Sequence, residues 1–406
     1  MFIYKTAVVG AGAMGAEIAQ VISFSGLPVV LKDVDQAFVD RGLGTIRKIY
    51  QRRVDRGKMT QDEMEKKLGL VTGATGYEAL KDADLVVEAV PERLALKQQI
   101  FQELDRLLPE SSLIASNTSS LSISALGAAT KRPHKVIGMH FFYPAHIMKL
   151  VEVIPGLETS EESVGDILSF AESLRKLPVR VNECAGFLVN RILMPYLNEA
   201  ALCAQEGAAS ARQIDEAMVE FGFPMGPFTL VDSLGFDVCR EVVLILLDAY
   251  GSRMQPAAIW ERIHNLKRLG AKSGAGFYLY GERAGQPDPE MERILKELQG
   301  QSRGPKEFSV NRLVLPMINE AVRCLEEHVC TAADVDLAVI AGLGFPPSKG
   351  GILHYADEVG LDTVVTELGR LAQTFGERFW PSPLLKRKVA AGHLGKRVKK
   401  GFFDYP

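Results

Sequence analysis

The chain has 406 residues, of which 47% are hydrophobic and 24% are charged, and its formal net charge is −3. This length suits two or three domains, and the nearly neutral charge gives no basic footprint for nucleic acid. No stretch has the form of a membrane span or a secretory signal, and the five scattered cysteines indicate reduced thiols without a metal-ligand pair. We therefore expect a cytoplasmic protein with no nucleic-acid, membrane or metal partner.

The first predicted element is a strand over Thr6–Val9, which runs directly into a glycine-rich turn and a helix. The turn consists of Gly10, Ala11, Gly12, Ala13, Met14 and Gly15. Its glycines allow a tight turn, close approach of a pyrophosphate and packing of the helix on the strand. The helix N-terminus then offers free N–H groups to phosphates. These features predict a dinucleotide site; a glycine turn without a nucleotide is the alternative.

The second predicted strand, Pro28–Leu31, indicates which dinucleotide binds. Asp33 lies at its end, where an acid accepts hydrogen bonds from the ribose hydroxyls. No arginine immediately follows Asp33 to take a 2′-phosphate. The pattern therefore favours NAD over NADP as the cofactor.

The next stretch, Asp35–Leu68, is charged and helical in pattern, with Gly57 marking a turn. It is long for a crossover between two strands, so we predict an inserted helical hairpin. The hairpin carries a basic run formed by Arg47, Lys48, Arg52 and Arg53. Such a run either meets an anionic ligand or is simply a solvated helix face.

Two further strands are predicted over Leu85–Val90 and Leu113–Ser116, with a helix from Pro91 to about Leu107 between them. The polar cluster Ser116–Ser120 follows the second of these strands. Side chains at the carboxyl end of a strand lie where open α/β sheets bind ligands. Capping of the next helix by one member of the cluster is the alternative.

The following predicted strand, Val136–Met139, ends in His140, and a second apolar run with Glu152 in its middle begins near Leu150. A carboxylate among apolar neighbours is costly to bury without a partner. Imidazole is the obvious partner, because a carboxylate fixes its tautomer and raises its basicity. The alternative is a satisfied strand-end histidine, with Glu152 facing water on an edge strand.

After a last strand near Pro178–Val181, the pattern becomes helical and contains a repeat. The segment Phe187–Pro195 recurs as Phe308–Pro316, and the same spacing relates Glu199 to Glu320 and Asp215 to Asp336. Agreement at separate points indicates a duplicated domain. We predict a Rossmann-type α/β NAD-binding domain with an inserted helical hairpin (1–183), a first all-α domain (184–282), a linker (283–304) and a second, homologous all-α domain (305–406).

Together these motifs resemble the L-3-hydroxyacyl-CoA dehydrogenase family, in the form with two copies of its C-terminal helical domain. The resemblance covers essentially the whole chain. Its most specific segments are Gly10–Gly15, Val87–Glu92, Ser116–Leu121, Gly138–Pro144, Lys149–Ile154, Gly186–Arg191 and Pro224–Pro227. The arrangement is similar to the dehydrogenase half of multifunctional fatty-acid oxidation proteins, and to stand-alone bacterial 3-hydroxybutyryl-CoA dehydrogenases.

The resemblance implies reversible NAD-dependent oxidation of an (S)-3-hydroxyacyl-CoA, with His140 as the base and Glu152 as its partner. The further catalytic and substrate residues that it implies are Ser119 and Asn190, with Thr45 and Arg52 at CoA. The cofactor residues that it implies, besides the glycine turn, are Asp33, Glu92, Lys97 and Lys272. Tyr143 departs from the family, which commonly has asparagine or serine before the proline, so we assign it no role.

Family members with one helical domain pair through it, so the second copy suggests a monomer. A hydratase or thiolase partner is compatible with the sequence but not indicated by it. The alternatives to the acyl-CoA function are a dehydrogenase of another β-hydroxy acid, such as a sugar acid, and a non-catalytic NAD-binding protein.

Overall fold

A computed structural model describes residues 2–264, 266–302 and 304–406. The chain forms two compact units, Met1–Phe187 and Leu188–Pro406. The end predicted for the α/β domain, residue 183, lies close to this division. Among the described residues, no helix is both long enough and apolar enough to cross a bilayer.

The first unit is built on one eight-stranded sheet with the order β3-β2-β1-β4-β5-β6-β7-β8. The strands are β1 (Thr6–Val9), β2 (Val29–Lys32), β3 (Val71–Ala74), β4 (Leu85–Glu88), β5 (Leu113–Ser116), β6 (Val136–Phe141), β7 (Leu150–Pro155) and β8 (Leu177–Arg180). Neighbours are parallel except β6 and β7, which are antiparallel. The central strands are buried along their whole length, which explains their continuous apolar sequences.

The helices of this unit are α1 (Ala13–Phe24), α2 (Gln36–Asp55), α3 (Gln61–Leu68), α4 (Leu94–Leu107), α5 (Ile123–Gly127) and α6 (Glu161–Ser173). The predicted hairpin is α2 and α3, and it begins where the side chain of Asp35 accepts a hydrogen bond from the Ala37 N–H. The turn between α2 and α3 ends at Thr60, which forms a capping box with Glu63: the side chain of each residue accepts a hydrogen bond from the backbone N–H of the other. The hairpin is followed by β3, a strand that the sequence did not indicate.

The second unit is helical. Its helices are α7 (Val189–Glu206), α8 (Ala211–Phe221), α9 (Pro227–Leu234), α10 (Phe236–Tyr250), α11 (Ala258–His264), α12 (Pro289–Gln301), α13 (Val310–Glu326), α14 (Ala332–Leu343), α15 (Ile352–Val359), α16 (Leu361–Phe375) and α17 (Pro383–Ala390). Helix α12 lies in the predicted linker. The repeat aligns α7 with α13, and these two helices pack against each other.

Two reciprocal ion pairs join α7 and α13. Arg191 Nε lies 2.7 Å from Glu320 Oε1, and Arg312 Nε lies 2.7 Å from Glu199 Oε1. All four residues are buried. Because each member of one pair is the repeat equivalent of a member of the other, the two copies face each other through the same surface, as in a two-fold dimer.

Each copy ends in a glycine followed by aromatic residues, and this ending closes on a buried aspartate, Asp232 in the first copy and Asp357 in the second. Asp232 accepts hydrogen bonds from the N–H groups of Phe277 and Tyr278, at 2.8 and 2.9 Å. A Cβ at Gly276 would lie 2.0 Å from Asp232 Oδ1, so only glycine fits there. Burial raises the pKa of Asp232 to about 6. The sequence did not single out this residue.

Candidate functional site

His140 and Glu152 lie directly opposite each other in the antiparallel β6–β7 pair. Nδ1 of His140 is 2.7 Å from Glu152 Oε2, and the two residues are 6% and 0% exposed. Strand β7 is covered by β8 on its other side, so the alternative that Glu152 faces water on an edge strand is wrong. The carboxylate fixes the proton on Nδ1, which leaves Nε2 as the nitrogen that can accept a proton.

Two aromatic rings surround the imidazole. The ring centroids of Phe142 and Phe187 lie 4.5 and 5.9 Å from that of His140. The strand continues through Phe141, one residue beyond His140, so the histidine lies within the sheet rather than at the strand's end. The backbone N–H of Phe141 donates to Asn117 Oδ1 at 2.8 Å, which ties the polar cluster after β5 to this strand. The imidazole therefore packs against two aromatic rings, and the strand that carries it is hydrogen-bonded to the polar cluster.

The polar cluster contains Ser119, and Glu92 holds it in place. One carboxylate oxygen, Glu92 Oε1, accepts hydrogen bonds from the Ser119 N–H at 2.9 Å and from Thr118 Oγ1 at 2.5 Å. Burial would raise the pKa of Glu92, but Lys97 and these hydrogen bonds outweigh it and hold that pKa below its usual value. Glu92 is therefore an ionised anchor for the segment that carries Ser119.

The cluster does not cap the next helix. The N-cap of α5 is Ser122, whose hydroxyl accepts a hydrogen bond from the Ala125 N–H at 3.0 Å. The alternative interpretation of Ser116–Ser120 as a source of the helix cap is therefore wrong. Ser116 instead donates to Glu88 Oε2 at 2.7 Å, beneath the cluster.

Lys97 belongs to the same network. Its ammonium group is buried, 2.7 Å from Glu88 Oε1 and 3.2 Å from Glu92 Oε2. Neither Lys97 nor Glu92 lines the large cavity next to the glycine turn. A direct contact of either residue with the cofactor stays a prediction. In the structure, the two residues position Ser119.

The cavity beside the glycine turn has a volume of about 750 Å³. Gly10, Gly12, Ala13, Met14 and Asp33 are among its lining residues. A Cβ at Gly12 would meet no protein atom within 4 Å, so the backbone there is open to a ligand. The fit to a dinucleotide is therefore good, because a pyrophosphate needs this approach.

The remaining members of the turn shape the cavity from beneath. A Cβ at Gly15 would lie 1.8 Å from the carbonyl oxygen of Gly10, so only glycine lets α1 start this close to β1. The Ala11 N–H donates to Asp33 Oδ2 at 2.7 Å, which fixes the acid at the cavity's wall. Asp33 directly follows β2 and lines the cavity, and its contact with the ribose stays a prediction.

A second pocket of about 340 Å³ is strongly basic. The cations among its lining residues come from separate segments: Arg52, Arg53, Arg56, Lys58, Lys149, Arg175 and Lys176. Arg47, by contrast, is exposed and pairs with Glu65 at 2.9 Å. The basic run of the hairpin therefore divides, with part of it solvated and part turned to a pocket. Thr45 is not among the lining residues; its hydroxyl donates to the Arg41 carbonyl at 3.0 Å.

Asn190 and Lys272 belong to the second unit. Asn190 lies in the first turn of α7, and its repeat equivalent Asn311 lies in the first turn of α13. Lys272 Nζ is 2.5 Å from Asp237 Oδ1 in a half-exposed ion pair. Their predicted roles in the site stay predictions.

Comparison with known proteins identifies both parts of the chain. The NAD-binding domain of 3-hydroxyacyl-CoA dehydrogenase matches residues 5–184, and the C-terminal domain of that family matches residues 186–280 and 308–405. The first match confirms NAD as the cofactor predicted from the glycine turn and Asp33. The second agrees with the predicted duplication.

The relatives include multifunctional proteins. The chain is 41% identical over 392 residues to the fatty acid oxidation complex subunit alpha of Shewanella amazonensis, and 37% identical over 403 residues to a peroxisomal fatty acid beta-oxidation multifunctional protein of Arabidopsis thaliana. These matches cover 96% and 97% of the chain but only 55% of each relative. The chain thus spans about half the length of these relatives.

Among solved structures, the 3-hydroxybutyryl-CoA dehydrogenase of Escherichia coli superimposes with a TM-score of 0.86 at 30% identity. The match covers 96% of this chain and 99% of that one. Nearly the whole of that solved chain is therefore matched by this one.

Proposed function

The chain belongs to the 3-hydroxyacyl-CoA dehydrogenase family, and we propose that it catalyses the reversible NAD-dependent oxidation of an (S)-3-hydroxyacyl-CoA to a 3-ketoacyl-CoA. The observation that carries the proposal is the buried pair of His140 and Glu152, 2.7 Å apart. The pair lies in the same sheet as the glycine turn, and β6, like β1, ends at the carboxyl edge of that sheet. Ligands of open α/β sheets bind at this edge.

In the proposed reaction, His140 Nε2 takes the proton of the C3 hydroxyl. Glu152 accepts the hydrogen bond from Nδ1 and stabilises the imidazolium ion that forms. Transfer of this kind to a positioned base contributes roughly 10²–10⁴-fold to a rate. The Ser119 hydroxyl orients the substrate oxygen, and Glu92 keeps Ser119 in position. NAD, when bound, supplies the acceptor for the hydride from C3.

We assign the phosphates of CoA to the basic pocket. Arg52, to which the family resemblance assigns a contact with CoA, is one of its lining residues. Among the described residues, Arg52, Arg56 and Lys149 have no carboxylate partner within ion-pair distance, whereas Arg47 on the same helix has one. Unpaired cations that converge from separate segments favour a polyanionic ligand.

We further propose that the chain is monomeric. The ion pairs of Arg191 with Glu320 and of Arg312 with Glu199 join the two helical copies within one chain. The second copy then takes the place that a partner subunit fills in relatives with one copy. Sedimentation at the mass of one 44.5 kDa chain supports this; a dimer contradicts it.

We also propose that the protein is cytoplasmic. Buried apolar thiols such as Cys203 and Cys239 suit a reducing compartment such as the cytoplasm. A place in fatty-acid β-oxidation is a proposal that the names of the relatives support, and a hydratase or thiolase partner stays a prediction.

The test is a series of 3-hydroxyacyl-CoA thioesters of increasing chain length, aromatic ones included, followed by NADH absorbance. Free 3-hydroxy acids, sugar acids among them, serve as controls. Turnover of thioesters with NAD and none of the free acids is expected. Turnover of the free acids alone, or none of either while NADH still binds, overturns the proposal.

A further inference from the structure

The loop Phe142–Lys149 links the two proposed parts of the site. It follows His140 and Phe141 in the chain, and its residues His146, Ile147 and Lys149 line the basic pocket. The loop has no regular secondary structure, so its backbone carbonyls need other partners. A residue that fixes this loop therefore fixes the part of the chain that connects His140 to the basic pocket.

Lys176, at the end of the segment after α6, supplies those partners. Its side chain is buried, and Nζ donates to the carbonyl oxygens of Ala145 at 2.5 Å and Met148 at 2.7 Å. Hydrogen bonds from a charged donor are about twice as strong as those from a neutral one. The ammonium ion thus holds the loop at two points, three residues apart in sequence.

Positive charges outnumber negative charges around Lys176. The other ionisable groups that line its pocket are cations or histidine: Arg52, Arg53, Arg56, Lys58, His146, Lys149 and Arg175. The acid that acts on Lys176 is Glu17 of α1, which is 5% exposed. Nδ1 of His146 lies 3.2 Å from Glu17 Oε2, so the same carboxylate faces the loop as well. None of these three residues takes part in the proposed chemistry.

We propose that Lys176 is a positioning residue, whose ammonium ion fixes the loop between His140 and the acyl-CoA pocket, and that Glu17 keeps it charged. The inference rests on the proposed function for its consequence in catalysis. Burial lowers the pKa of Lys176 to about 8, and Glu17 opposes this effect. The charged anchor is therefore present at neutral pH and is lost as the pH rises through about 8.

The experiment measures kcat/KM for 3-hydroxybutyryl-CoA in the oxidation direction, at saturating NAD, across neutral and alkaline pH. His140 acts as a base in this direction, so raising the pH does not remove its function, and a loss of activity at alkaline pH reports on Lys176. The wild type is expected to lose activity above a pH of about 8. Lys176→Met is expected to be roughly tenfold less active at neutral pH and to show no alkaline decline.

Glu17→Gln gives the opposite signature, because it retains the lysine but removes the carboxylate that favours its charged form. Its alkaline decline is expected at lower pH than in the wild type. Lys135→Met serves as the control: Lys135 lies 3.6 Å from Glu162, away from the loop, and its loss should leave the profile unchanged. NADH binding, followed by fluorescence, should be unaltered in all three variants.

An alkaline decline that persists unchanged in Lys176→Met overturns the proposal, as does an unmoved decline in Glu17→Gln. If Lys176→Met does not fold, Glu17→Gln alone decides. Hydrogen exchange of the loop amides needs no turnover, and it should accelerate in Glu17→Gln above neutral pH, after correction for intrinsic rates. If the loop exchange accelerates in Glu17→Gln but the wild type oxidises no thioester, the proposed function is wrong and the role of Lys176 in fixing the loop stands. If the exchange is unaltered, the role of Lys176 is wrong.

Discussion

His140 and Glu152 are direct cross-strand neighbours, and this register alone brings Nδ1 and Oε2 to 2.7 Å. A shift of either strand by one residue would turn one of the two side chains to the opposite face of the sheet. The pairing of the base with its carboxylate is therefore set by the backbone of β6 and β7.

Glu152→Gln keeps the size of the side chain but removes its charge. We expect kcat to fall about 10²-fold, since the imidazolium ion that forms in the reaction loses its stabilising carboxylate. Steady-state kinetics at neutral pH are the measurement, with the exposed Glu162→Gln as the control. A kcat equal to that of the wild type would count against the pairing.

Gly12→Val tests the nucleotide site without disturbing the fold. Because a Cβ there meets no protein atom within 4 Å, the variant should unfold at the same denaturant concentration as the wild type. Its affinity for NADH should fall roughly tenfold or more, since the side chain occupies the space that a pyrophosphate needs. Gly44→Ala, in equally open surroundings on α2, should leave the NADH affinity unchanged and should stabilise the fold slightly, by up to about 1 kcal/mol, because alanine is favoured over glycine inside a helix. Equal NADH affinity of Gly12→Val and the wild type contradicts the assignment.

Arg52→Gln tests the basic pocket. We expect KM for the acyl-CoA to rise about tenfold with little change in kcat, because the phosphates of CoA lie outside the reacting part of the substrate. A truncated thioester that lacks these phosphates should be oxidised equally well by the variant and the wild type. Arg47→Gln, on the same helix but paired with Glu65, is the matched control. Equal effects of the two substitutions on KM would contradict the assignment of the CoA phosphates to the basic pocket.

Arg191→Met tests the join between the helical copies. It leaves Glu320 buried without its closest cation, and breaking a buried pair costs about 3–5 kcal/mol. Chemical denaturation followed by circular dichroism should show this loss. The exposed pair of Arg293 with Glu290 gives the control, because Arg293→Met should leave the denaturation midpoint close to that of the wild type. Similar losses in the two variants would mean that the buried pairs do not hold the copies together.

Much of the sheet could be predicted from local sequence. The bounds predicted for the strands Thr6–Val9 and Leu113–Ser116 are those observed, because both are continuous apolar runs followed by turn signals. Strand Val71–Ala74 was missed because it lies at the sheet's edge, is partly exposed and contains Gly73, which breaks the apolar pattern. Helix α4 begins at Leu94 rather than Pro91, since Glu92 turns to the polar cluster instead of entering the helix.

Site residues could be predicted only where the local sequence itself indicated the need for a partner. Contacts between segments far apart in the chain could not be predicted. A carboxylate in an apolar run needed a partner, so His140 and Glu152 could be paired before their register was known. Lys176 gave no such signal, because lysine before a strand is usually solvated. Its contacts depend on the path of the loop Phe142–Lys149, which local sequence does not determine. The hydrogen-bond partners of Asn117 and Glu88 could not be predicted for the same reason, because they come from distant segments.

The proposed chemistry requires His140 as the base, and His140→Gln tests this directly. Oxidation of 3-hydroxybutyryl-CoA should lose at least about 10²-fold in kcat, while NADH affinity and the unfolding midpoint stay at their wild-type values. The exposed His134→Gln is the control and should retain full activity. Turnover by a folded, NADH-binding His140→Gln at the wild-type rate would contradict the account.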